Sequence, residues 1–135
     1  MQYGSVLLVT VLSLAAQSAA YSAPTVRTSP FSSLYDQCMA RANSTPEERS
    51  CAQEEFQRAD AALNAAYKKI GKDIGAERAP DLLKAERAWL QYRDAECGFQ
   101  ASAVRGGTAY PLYEQDCRIL QTYRRTQELK ADALP

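Results

Sequence analysis

Histidine is absent from the 135-residue chain. That removes His-ligated zinc, Ser-His-Asp and Cys-His catalysis, and a histidine pH switch. Net charge is absent too: 16 basic and 16 acidic residues sum to a formal +0. No long-range basic field therefore draws in nucleic acid or an anionic membrane. Charged residues are missing altogether before Arg27, so trimming the N-terminus leaves that balance unchanged. No segment alternates apolar and polar residues with β-branched content in the way a half-buried strand does, so no strand is required. A length below roughly 150 residues argues for one domain.

The N-terminal apolar run Val6–Ala16 holds only 11 residues, whereas a spanning helix needs about 20. Small residues follow it, with Ser18 and Ala20 placed before a cleavage point at Tyr21. This is the pattern of a secretory signal peptide over residues 1–20, although the run is preceded by no Lys or Arg. No cysteine follows the run to carry a lipid anchor. Residues 21–33 are rich in Ser, Thr, Pro and Ala, the composition of a flexible leader. The folded domain is expected over residues 34–135, exported to the periplasm or beyond, with no transmembrane segment after cleavage.

All four cysteines, Cys38, Cys51, Cys97 and Cys117, lie beyond the proposed cleavage. An even count in an oxidising compartment points to two disulfides, for which three pairings exist. Cys38–Cys51 with Cys97–Cys117 is favoured, because each then closes a local loop between consecutive helical segments. Metal binding would need C-x-x-C spacing or histidines, so neither a metal nor another cofactor is expected.

Helical spacing dominates the rest. Thr45-Pro46-Glu47-Glu48 reads as a threonine cap, a first-turn proline and a capping-box glutamate. Phe56, Asp60, Leu63, Tyr67, Ile70 and Ile74 then recur at intervals of three and four, a seam on one helix ending near Ile74. Pro80-Asp81 opens a second long segment through Leu83, Ala85, Trp89, Tyr92, Ala95 and Phe99. A third runs from about Pro111 to Leu129, and a shorter helix near Leu34–Ala42 precedes them all. The expectation is an all-α fold, a small antiparallel helical bundle. Asp60 interrupts the first seam; its expected role is structural, as an ion pair with Arg93 one turn beyond Trp89. Glu47-Glu48 and Glu54-Glu55 read as acids favoured near a helix N-terminus.

Three strings occur in one order: Asp60-Ala61-Ala62-Leu63-Asn64-Ala65-Ala66-Tyr67-Lys68, Ala85-Glu86-Arg87-Ala88-Trp89-Leu90-Gln91-Tyr92-Arg93-Asp94-Ala95-Glu96-Cys97, and Gly106-Gly107-Thr108. With Cys117, Thr122-Tyr123-Arg124 and Glu128-Leu129, they resemble the lysozyme-inhibitor LprI-like family of small exported bacterial proteins, from about Tyr35 to Leu129. The resemblance implies binding without catalysis, with a lysozyme or related cell-wall hydrolase as the partner. An inhibitor can plug a catalytic cleft with a loop that a disulfide keeps rigid. The segment Val104–Asp116, between Cys97 and Cys117, is the candidate: Arg105, Tyr110 and Tyr113 are anchor types, Gly106-Gly107 makes the turn, and Glu114 and Asp116 would attract a basic enzyme. The alternative is a structural or envelope-stress module that binds another envelope protein through its helix faces. An enzymatic reading would need Asp60, Glu86 and Glu96 to share one pocket.

Overall fold

The computed structural model describes residues 29–132. Four α-helices are present among them: α1 (Ser33–Arg41), α2 (Thr45–Asp73), α3 (Gly75–Ala101) and α4 (Tyr110–Asp132), with a 3-10 turn at Ser102–Val104. No strand occurs among the described residues. The expected all-α bundle is therefore the fold. The proposed signal peptide and most of the leader lie outside the described residues. The last leader residues are described and packed: Phe31 lies against Tyr35 with ring centroids 4.5 Å apart, and Ser32 caps α1 by accepting the Tyr35 N–H at 3.2 Å.

Both favoured disulfides form, Cys38–Cys51 joining α1 to α2 and Cys97–Cys117 joining α3 to α4. The α2 start sits one residue earlier than the threonine cap expected. Ser44 is the cap, without a side-chain bond, and Glu47 rather than Glu48 reaches back, accepting the Asn43 N–H at 2.6 Å. At the other end Gly75 adopts φ 78°, the left-handed conformation that glycine takes without steric cost, and turns the chain into α3. Pro80 lies inside α3 rather than opening it. There it forfeits the bond to the Ala76 carbonyl and sets its ring against that carbonyl, a cost confined to the start of the helix.

The α2 seam is rotated from the expected one. Its buried residues are Cys51, Ala52, Glu55, Ala59, Leu63, Ala66 and Ile70, and Asp60 falls off it. Alanines every seven residues let α4 approach closely, which makes α2–α4 the main packing of the bundle. One core cluster gathers Tyr35, Cys51, Ala52, Ala59 and Ile119, and a second gathers Leu63, Ala66, Ile70 and Leu129. Along α4, buried Thr122 and Thr126 lie between Ile119 and Leu129 and return their hydroxyls to the carbonyls of Arg118 and Thr122 at 2.7 and 2.8 Å.

The α3 helix departs most from expectation. It buries Glu86, Arg93, Cys97 and Ala101, while Tyr92 and Phe99, expected on its inner seam, are 57% and 73% exposed. Its apolar residues run around the whole helix, so a single inward stripe is not what the spacing encodes. The inner face adds ion pairs and a disulfide to the packing of Leu82 and Trp89 against the second cluster.

Candidate binding surfaces

The Asp60–Arg93 pair does not form. Arg93 is buried and spends its guanidinium on Asp94, with Nε and Nη2 at 3.0 and 2.9 Å from Oδ1. It also lies 5.3 Å from the Trp89 ring centroid and 5.5 Å from that of Phe56, and donates to Thr122 Oγ1 at 3.4 Å. Arg93 thus sits among Trp89, Phe56, Asp94 and Thr122, and Asp60 belongs to another neighbourhood. Because the α2 seam passes through Ala59, Asp60 turns toward the side of the helix hairpin, where it accepts from Asn64 Nδ2 at 2.9 Å.

The most deeply buried acid among the described residues is Glu55, one of the four read as acids favoured near a helix N-terminus. It has no solvent exposure. Oε1 accepts the Ser32 N–H at 2.8 Å and the Tyr123 hydroxyl at 2.7 Å. Oε2 accepts the Ser32 hydroxyl at 2.7 Å and Arg58 Nε at 2.9 Å. Burial alone would push this carboxyl up, but the four donors outweigh it and hold the group below the ordinary carboxylate range. The same acceptor raises Tyr123 to about 12, behind the larger effect of burial. All of these donors but Arg58 come from positions far away in sequence, so the buried Ala52 and Ala59 on either side give the periodic hint of Glu55.

The segment expected to bind a hydrolase forms one end of the bundle. Arg105, Gly106 and Gly107 are exposed, and Gly106 takes φ 85°. A Cβ at Gly107 would meet the Val104 carbonyl oxygen at 3.2 Å, so the turn is built for glycine at both positions. The turn is held from two directions, by the Cys97–Cys117 bridge and by Arg49 of α2, which donates to the Thr108 carbonyl at 3.0 Å. Tyr113 is 59% exposed, whereas Tyr110 is half-buried. The two acids are engaged within the fold: Glu114 accepts from Arg118 at 2.9 Å, and Asp116 accepts the Tyr35 hydroxyl at 2.6 Å. Burial raises the Asp116 carboxyl, partly offset by that hydroxyl. Free charge on this surface therefore comes from Arg105 rather than from the acids.

A second concavity lies between α2 and α3, which approach each other much less than either approaches α4. Asp60, Leu63, Asn64 and Tyr67 line it from α2; Leu83, Glu86, Arg87 and Leu90 line it from α3. Its volume is about 330 Å³. Of the three acids considered for catalysis, Asp60 and Glu86 meet here, while Glu96 does not and instead accepts from Gln100 at 2.7 Å. Glu86 is committed to Arg125, whose Nε stands 2.7 Å away. Among the described residues no cluster of three metal-ligating side chains is present, and no helix is long and apolar enough to cross a membrane.

A disulfide-stapled helical bundle with an exposed Gly106-Gly107 turn beside one of its staples is the class that fold and surface define. The chain belongs to the family described as lysozyme inhibitor LprI, whose model matches residues 37–129. That match runs from within α1 to near the end of α4 and takes in both concavity walls and the glycine turn. The chain is similar to the uncharacterized protein R02472 of Rhizobium meliloti (strain 1021), with 34% identity over 93 residues covering 59% of this chain and 67% of the relative. It is also similar to the uncharacterized protein YecT of Escherichia coli (strain K12), with 32% identity over 97 residues covering 61% of this chain and 60% of the relative. The chain thus spans less than two thirds of the second relative's length. No solved structure matches it.

Proposed function

We propose that this protein is an exported, non-catalytic binding protein that inhibits a lysozyme or a related cell-wall hydrolase. Membership of the LprI family supports the target class, and two disulfides fit an oxidising compartment. The observation that carries the reading is the exposed Arg105-Gly106-Gly107 turn, stapled by Cys97–Cys117 and tied to α2 through Arg49. A loop already fixed in shape loses little freedom on entering a cleft, so more of its contact energy appears as affinity. Arg105 and Tyr113 are the anchors of this surface; Tyr110 supports it from a half-buried position. Titrating the oxidised protein against lysozyme on cell walls tests the proposal. Stoichiometric inhibition supports it, and full lysozyme activity at excess protein opposes it.

One observation favours the alternative of an envelope-protein interaction module: Tyr92 and Phe99 stand exposed on α3. In that reading hydrolases are unaffected, and Tyr92→Ala or Phe99→Ala weakens capture of the partner while Tyr113→Ala does not.

A further inference from the structure

The concavity between α2 and α3 plays no part in the inhibitory reading, yet the first two of the strings that carry the family resemblance converge on it. Asp60, Leu63, Asn64 and Tyr67 of the first string form one wall, and Glu86, Arg87 and Leu90 of the second form most of the other, with Leu83 just before it. We infer that this groove binds a short zwitterionic peptide.

Three features point to that chemistry. The first is the lining: Leu63, Tyr67, Leu83 and Leu90 give it an apolar body, and Leu83 and Leu90 remain substantially exposed where a bundle would ordinarily bury them. The second is charge. Asp60 meets only the Asn64 amide, and among the described residues no Lys or Arg pairs with it and no carboxylate pairs with Arg87. The remaining charge on the lining, Glu86, is already neutralised by Arg125. The groove is therefore left with one unpaired anion and one unpaired cation.

The third is their placement. The helices form a hairpin about Ile74–Gly75, so Asp60 and Arg87 stand on opposite walls at nearly the same distance from the turn. They are offset by two residues, about 3 Å of helix rise. Tyr67 and Leu83 lie closer to the turn. A ligand that presents an ammonium to Asp60 and a carboxylate to Arg87 satisfies both charges, while its apolar side chain runs toward Tyr67 and Leu83. A volume of about 330 Å³ lies at the small end of ligand sites, which run from about 300 to 1,000 Å³, and suits a peptide of a few residues.

The test is an NMR titration of the oxidised full domain with leucyl-leucine, with N-acetyl-leucyl-leucinamide as the charge-free control. Shifts centred on Leu63, Tyr67, Leu83 and Leu90 are expected with the free dipeptide. Affinity is expected to fall about tenfold or more for the blocked peptide, which loses both charged contacts, and for Asp60→Asn and Arg87→Gln, each of which deletes one. Lysozyme inhibition by either variant stays at the wild-type level, which separates this site from the glycine turn. Shifts mapping elsewhere, no shifts at millimolar dipeptide, or equal binding of the blocked peptide overturn the inference. The blocked-peptide arm uses unaltered protein, so it decides the matter even if a variant folds poorly.

Discussion

Tyr123 donates its hydroxyl to Glu55 Oε1 at 2.7 Å, joining α4 to α2 through a carboxylate with no solvent contact. Ser32 completes the junction with its N–H and its hydroxyl, so one acid ties α2 to the chain entering α1 and to α4. Removing one partner from such a buried charged network costs about 3 kcal/mol. Glu55→Gln should lose about that much in urea unfolding at neutral pH, and Tyr123→Phe should lose less, since three other donors remain.

The same junction sets a pH dependence. Donors hold Glu55 below its ordinary value, so the folded state releases this proton more readily than the unfolded chain. Its stabilisation is complete above the unfolded pKa of about 4.3 and fades as pH falls through the lower folded value. Asp116 acts in the opposite sense, because burial raises its carboxyl and acid relieves that cost. Comparing unfolding midpoints at pH 6 and pH 3 should show a smaller acid loss in Glu55→Gln than in wild type. An equal loss in both would place the acid sensitivity elsewhere.

Arg93 holds the inner face of α3 through Asp94, Thr122 and two aromatic rings. Arg93→Ala should destabilise by about 2 kcal/mol, with Arg93→Lys also losing because a lysine cannot spread across two rings. A double-mutant cycle with Asp60 should give a coupling below about 0.5 kcal/mol, as expected for side chains without a shared contact.

The two disulfides should separate stability from function. Removing either one costs about 3 kcal/mol on the chain-entropy account. Replacing Cys97 and Cys117 by serine should also weaken inhibition, because the glycine turn loses its staple. Replacing Cys38 and Cys51 should leave inhibition intact wherever the protein remains folded. Thermal melts paired with inhibition assays check both halves.

Much of this architecture is legible in residue order. The first-turn proline and acids announce α2, cysteine spacing favours the local pairing that forms, and Gly106-Gly107 marks the turn. The rotation of α2 is not legible, because the true seam runs through Ala52, Ala59 and Ala66, whose hydrophobic signal is weaker than that of Phe56, Tyr67 and Ile74 beside them. Glu55 escapes for a related reason: adjacent glutamates at a helix start resemble a solvated, dipole-favoured pair. What distinguishes Glu55 is supplied by Ser32 and Tyr123, 23 and 68 residues away. The outward aromatics of α3 follow from an inner face stabilised by Arg93, Glu86 and Cys97, a possibility that apolar spacing alone does not reveal. The family strings did contain the α2–α3 groove, but only the hairpin shows that they face each other.

Tyr113 and Arg105 are exposed anchors, so truncating them should change stability by no more than about 0.5 kcal/mol. Loss of a central anchor typically costs about 2 kcal/mol in binding, some thirtyfold in affinity. Tyr110→Ala, at a half-buried position, should lower the melting temperature as well.

The most direct measurement is the lysis rate of bacterial cell walls by several lysozyme types, each titrated with the oxidised protein and with Tyr113→Ala. Stoichiometric inhibition of at least one lysozyme by the wild-type protein, sharply weakened in a folded Tyr113→Ala variant, is the expected result. Full lysozyme activity across the panel in the presence of a folded, oxidised sample would contradict inhibition through the glycine turn.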